Sequence, residues 1–166
     1  MAASARLDAP KLERHDDLLA MDAATRRNLE LMTTLGGKRH GSLISTIDHT
    51  STAAGSRLLG LWLSAPSRAL EVIADRHDAV AWALENPSLR AEFRANLRAI
   101  SDMERAVGRL SLGRGGPRDV LLLAASLTQT NTLHEAMRNL NLPPLLHAAR
   151  AGLAGHHALA EQLSMA

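Results

Sequence analysis

The sequence predicts an all-α fold, a multi-helix bundle or array, and three observations carry that prediction. Leu and Ala dominate the apolar residues, whereas aromatics make up only 2% (two Trp, one Phe, no Tyr). Leu and Ala favour helix, and little β-branched or aromatic material remains to build a sheet. Apolar residues recur at spacings of three and four, the helical period, and Pro, Gly and capping residues punctuate the runs. At 166 residues the chain is long enough to bury a real core within one domain.

Taken in order, residues 1–17 are polar, contain Pro10 and read as a linker or extended arm. Leu18–Met21 is a short apolar run that suits a short strand or the lead-in to a helix. Asp22 is a good N-cap for a helix carrying Leu29, Met32 and Leu35, which Gly36-Gly37 would stop. Leu43, Ile44 and Ile47 form the next short apolar face, ending near Asp48. Thr52 can cap a helix carrying Leu58, Leu59, Trp62 and Leu63, with Pro66 beyond it. Leu70, Ile73, His77, Val80, Ala81 and Leu84 lie on the following helix, which Asn86-Pro87 breaks. Ser88 is placed to cap the next, with Leu89, Phe93, Leu97 and Ile100; a further helix carries Met103, Val107 and Leu110.

Gly113, Gly115 and Gly116 then make a turn, and Pro117 suits the first position of a helix reaching about Leu140. Pro143-Pro144 precedes a last helix carrying Leu145, Leu146, Ala149, Leu153, Leu159 and Leu163. The helix from Pro117 is apolar on more than one face, as Leu121-Leu122-Leu123-Ala124-Ala125 shows. Such a helix is buried by neighbours on several sides. With one more helix after it, its cover is expected to come from chain outside this sequence or from a second copy.

Charge and composition exclude several function classes. The formal charge is +2, from 19 Lys plus Arg against 17 Asp plus Glu, and the basic residues are interspersed with acids. A nucleic-acid binder working by electrostatics usually gathers its cations into a patch. Zero cysteines leave no disulfide framework or thiolate metal site. No apolar core of a signal peptide follows Met1, and the apolar stretch Val120–Ala125 is far too short to span a bilayer. A cytoplasmic protein without a membrane partner is the expectation.

Motifs for chemistry are weak. His156 and His157 point about 100° apart on a helix, a poor geometry for joint chelation, and no H-E-x-x-H occurs. Gly113-Arg114-Gly115-Gly116 lacks the Lys and hydroxyl of a phosphate loop, since Pro117-Arg118-Asp119 follows. No G-x-S-x-G elbow is present. Catalytic, cofactor-binding and metal residues are therefore assigned to none. Asp102, Glu104, Arg105 and Arg109 suit ion pairs within or between helices, because residues three and four apart share a helix face.

Four ordered blocks carry a resemblance. Asp22-Ala23-Ala24-Thr25-Arg26-Arg27-Asn28-Leu29-Glu30-Leu31 comes first. Gly41-Ser42-Leu43, Asp48, Thr50, Thr52, Gly55-Ser56-Arg57-Leu58-Leu59, Trp62-Leu63 and Pro66 follow. The third block is Ile73, Arg76, Val80 and Leu84, and the fourth Asp102, Glu104-Arg105, Gly108-Arg109-Leu110 and Pro117-Arg118-Asp119. Together they span about Leu18 to Leu127 and resemble the core, or lever, domain of the MutS family of DNA mismatch-repair proteins. The sequence departs from the family pattern at Gly60-Leu61, at Ser67 and at Ala106.

The resemblance implies that residues 18–166 form the first segment of that all-α core domain. It further implies a mechanical role: relaying rearrangement between a mismatch-reading end and an ATPase end. Partners implied are the rest of the MutS chain (connector, clamp and ATPase), a second MutS subunit and mismatched duplex DNA; ATP and Mg would bind elsewhere in the parent protein. Within this chain, Arg57, Asp102, Glu104, Arg105, Arg109, Arg118 and Asp119 are the candidates for packing and ion-pair roles, and alanine at Arg105 is expected to lower the melting temperature. A stand-alone helical module that self-associates through its apolar face is the alternative, and a weak, salt-sensitive DNA binder a third reading.

Overall fold

A computed structural model describes residues 17–165. They form α1 (Ala23–Asn28), α2 (Leu43–Ile47), α3 (Ala53–Ser64), α4 (Leu70–Glu85), α5 (Pro87–Arg98), α6 (Met103–Ser111), α7 (Pro117–Ala136), α8 (Pro144–Gly152) and α9 (His157–Ser164). The fold is an all-α array. The arm assigned to residues 1–17 lies, apart from Asp17, outside the described residues. Leu18 makes a single antiparallel bridge with Ser67 rather than a strand of its own. Leu19 N–H donates to the Pro66 carbonyl and Arg68 N–H to that of Asp17, both at 2.8 Å.

Local chemistry explains most boundaries. The side chains of Asp22, Thr52 and Asp102 accept from the N–H groups of Thr25, Gly55 and Arg105 at 2.6, 3.0 and 3.4 Å, satisfying donors that a helix start leaves free. Pro87, Pro117 and Pro144 each occupy a first helical position, where the missing N–H costs nothing.

Four boundaries differ from the sequence reading. The helix capped by Asp22 ends at Asn28, because Glu30 takes a left-handed conformation (φ 49°) and its carboxylate accepts the Leu35 N–H at 2.5 Å. Leu29, Met32 and Leu35 therefore share no helix face. The loop instead folds back: Leu43 and Ile44 donate to the carbonyls of Glu30 and Leu31, each at 2.9 Å, and Leu31 and Ile44 are buried. At α5 the cap position belongs to Asn86, not Ser88, and the Asn86 amide donates back to the Trp82 carbonyl at 2.9 Å. The helix expected to reach Leu140 ends at Ala136. The last predicted helix is two, separated around Gly155, whose φ of 86° suits glycine.

That split matters for the core, because α9 folds back onto α7. With α5 and α6 also packed against it, α7 is covered on three sides by this chain itself. Its buried residues Leu123, Ala124, Ser126, Thr130 and Leu133 point in several directions, leaving Leu121, Ala125, Thr128, Thr132 and Glu135 outward. The expectation that α7 needs an outside cover is thereby corrected. Alanines at 106 and 160, both buried on the facing helices, allow the close approach.

Uncovered apolar surface lies elsewhere. Helix α4 packs on α5 and α8 through its Ala79 and Trp82 side, with Trp82 stacked on Phe93 at 6.0 Å between ring centres. The residues that mark α4 as apolar in the sequence face the opposite way. Leu70, Val80 and Leu84 are 79%, 58% and 65% exposed.

Candidate functional site

The candidate residues gather into two joints that tie α6 to its neighbours. In the first, Arg57 of α3 donates from both guanidinium arms to Asp102, at 2.9 and 2.8 Å, and from Nη2 to Glu104 Oε2 at 2.6 Å. A planar guanidinium matches a carboxylate in this two-armed way, as an ammonium cannot. Asp102 is also the N-cap of α6, so one carboxylate both starts that helix and holds it to α3. The Arg57 hydrogen bonds, with the Arg105 N–H, bring the Asp102 carboxyl down to about 2, and the same contacts raise Arg57 further above its already high value.

In the second joint, Arg109 donates from Nε to Asp119 Oδ1 at 3.0 Å, and its Nη2 donates to the same oxygen. The other oxygen, Oδ2, accepts the Gly116 N–H at 3.2 Å. This closes the turn between α6 and α7 and places a negative charge at the positive end of α7. Arg109 holds the Asp119 carboxyl below the usual carboxylate range.

Two candidates contribute less. Arg105 reaches Asp102 only at 3.8 Å and its side chain is largely exposed. Arg118 sits outward on the first turn of α7, in no ion pair among the described residues.

Sequence reasoning gave no role to several residues that join elements. Asp48 accepts from the Ser56 hydroxyl at 2.5 Å, the Thr50 hydroxyl at 2.7 Å and Arg39 at 2.9 Å, knitting the loop before α2 to α3. Led by the Ser56 bond, these hold its carboxyl at about 2. The D-x-T spacing with Ser eight residues on was the available signal. Small size at Gly55 serves this same turn, since an added Cβ would lie 3.0 Å from Thr52 Oγ1 and 3.4 Å from Thr50 Cβ. Arg76 of α4 lies 3.7 Å over the Trp62 ring of α3, and Trp82 Nε1–H donates to the Asn141 carbonyl at 2.9 Å. The buried Ser126 hydroxyl accepts the Ser101 N–H at 3.0 Å.

Among the described residues, no three His, Cys, Asp or Glu side chains are placed to hold one metal ion, and no helix is long and apolar enough to cross a membrane. The joints offer fixed geometry rather than a reacting centre. Their positions coincide with a known domain: the family model for MutS domain III matches residues 24–165. This chain belongs to the MutS family.

Relatives agree with the assignment. The chain is 46% identical over 160 residues to the DNA mismatch repair protein MutS of Dinoroseobacter shibae, covering 96% of this chain and 18% of that protein. It is 50% identical over 138 residues to MutS of Rhodopseudomonas palustris, covering 83% of this chain and 15% of that protein. MutS of Roseobacter denitrificans is 45% identical over 157 residues. The chain thus spans under a fifth of the MutS proteins it matches. Two departures from the domain III pattern fall at packed positions. Gly60 is buried where a Cβ would lie 3.1 Å from Met32 Cε, and Ala106 is 3% exposed. The third, Ser67, makes the bridge to Leu18.

Proposed function

We propose that this chain is the structural core of a DNA mismatch-repair protein and relays rearrangement between mismatched duplex and ATPase, without active-site chemistry of its own. The observation that carries the reading is the pair of joints on α6, Arg57–Asp102–Glu104 and Arg109–Asp119, which tie α3, α6 and α7 into one mechanical path. Rigid elements joined at a few charge-assisted contacts suit such coupling, because a joint can open or close as a unit. The reading places ATP, Mg and the mismatch on other parts of a longer polypeptide, with a second subunit alongside, in the cytoplasm.

The test is made in the full-length protein carrying this chain. Arg57→Ala should leave ATP hydrolysis without DNA, and affinity for a mismatched duplex, within about twofold, while the response of hydrolysis to the mismatch falls about fivefold or more, the scale of an ordinary coupling energy. If the mismatch response survives Arg57→Ala and Arg109→Ala together, the relay does not run through these joints.

A further inference from the structure

We propose that α5 carries a contact row for the phosphate backbone of duplex DNA, formed by Arg90, Arg94 and Arg98, which holds the duplex away from the mismatch and does not read it. The inference rests on the proposed mismatch-repair role and adds to it a direct contact between this chain and the nucleic acid.

The helix sorts charges that the sequence mixes. Arg90, Glu92, Arg94 and Arg98 alternate in sign along the chain. At about 100° per residue, the three arginines fall within about 80° on one flank of α5, and Glu92 lies about 120° or more from each of them. The acid is thereby turned away from the row. Arg90 and Arg98 are exposed and Arg94 is half-buried, and none of the three is in an ion pair among the described residues. Arg90 donates from Nη1 to the Ala83 carbonyl at 3.2 Å, a contact that orients the side chain without neutralising it.

Surroundings decide what the partner is. A protein–protein interface has an apolar centre inside its polar rim. On α5 the large apolar residues turn the other way: Phe93 stacks on Trp82, Leu89 and Leu97 are half-buried on the same side, and none of the three is exposed. Asn96 accepts from Gln129 of α7 at 3.0 Å. Outward of the row lie Ala91 and Ala95, small and exposed, so a charged backbone can approach closely while an apolar partner finds nothing to bury. The row is about 12 Å long, a length over which one DNA strand presents about three or four phosphates. Each guanidinium fork matches phosphate oxygens, and such contacts position a duplex without carrying sequence information.

The experiment measures binding of a fully paired duplex to the full-length protein carrying this chain, across a series of salt concentrations. The parent is compared with Arg90→Gln, Arg94→Gln and Arg98→Gln combined. Each phosphate neutralised contributes about 0.9 to the slope of log K against log salt, so the triple variant should lose about 2–3 from the parent slope. The corresponding triple Arg→Lys variant keeps the charge and should lose less than about 0.5. Should the triple glutamine variant not fold, Arg98→Gln alone should lose about 0.9. Preference for a mismatched over a paired duplex should stay within about twofold of the parent. An unchanged slope overturns the proposal and leaves the row to an acidic protein; a collapse of the mismatch preference overturns its placement away from the mismatch. A parent protein that binds no duplex overturns the mismatch-repair reading as well. The salt slope and the mismatch response of hydrolysis are separate readouts, so the row and the relay can each fail alone.

Discussion

Arg57 and Asp102, 45 residues apart in sequence, meet through both arms of the guanidinium at 2.9 and 2.8 Å, and Asp102 at the same time caps α6. Removing Arg57 therefore leaves the capping bond to the Arg105 N–H in place but cuts the capped start of α6 loose from α3. Arg57→Ala should lower the melting temperature by about 2–4 °C, and Arg57→Lys should recover less than half, because an ammonium presents no two-armed fork. Arg105, at 3.8 Å and largely exposed, should shift it by less than about 1 °C when changed to Ala. Thermal melts of the three variants check this; equal losses at 57 and 105 would remove the joint as the source.

Acid should weaken the fold in a defined window. Asp48 and Asp102 both sit at about 2 in the folded chain against an ordinary 3.8. Depressed folded values favour the ionised form, so this stabilisation is fully present above about pH 5 and is lost as pH falls toward 2. Melting temperatures measured from pH 7 to 2.5 should fall more steeply in the parent chain than in Asp48→Asn. Parallel curves would mean that the Ser56, Thr50 and Arg39 contacts do not hold Asp48 in solution.

Gly115 and Gly116 are adjacent and should respond to alanine to very different extents. A Cβ at Gly115 would lie 2.5 Å from Leu110 Cδ2 and 2.9 Å from Leu110 Cα, so the α6–α7 turn must open. At Gly116 it would meet nothing within 4 Å, and the N–H to Asp119 is kept. Gly115→Ala should cost about 1–3 kcal/mol, as overpacking does, and Gly116→Ala under about 0.5 kcal/mol. Denaturant titration distinguishes them.

Ser126 is 1% exposed and its hydroxyl accepts the Ser101 N–H, fixing the α5–α6 connection on α7. Ser126→Ala should cost about 1–2 kcal/mol by leaving that donor without its partner. A neutral result would indicate that the Ser101 N–H finds water instead.

Much of this architecture is legible in the residues, and the failures have physical causes. Caps at Asp22, Thr52 and Asp102 and prolines at 117 and 144 act through near neighbours, so local reading finds those starts. Glu30 ends α1 through a left-handed backbone and a bond to Leu35, neither of which residue type alone announces. Asp102, Glu104, Arg105 and Arg109 could be named from their helical spacing, and Arg57, Arg118 and Asp119 from the resemblance, yet their ranking needed distance: Arg57 reaches two carboxylates while Arg118 reaches none among the described residues. The larger miss concerned which apolar surface is left over. Periodicity shows that a helix has an apolar face but not which helices turn it inward, and here α7 finds its cover within the chain while α4 does not.

Trp62 and Trp82 are the two tryptophans of the chain, and they sit at opposite connections of α4. Trp62 lies under Arg76 where α4 meets α3; Trp82 holds the Asn141 carbonyl where α4 meets the segment before α8. Within this chain, Trp62→Phe leaves ultraviolet emission that senses only the second connection, and Trp82→Phe only the first. The molecule thus carries a built-in optical stopwatch, in which a displacement entering at α3 can be timed against its arrival at α8 without an added dye.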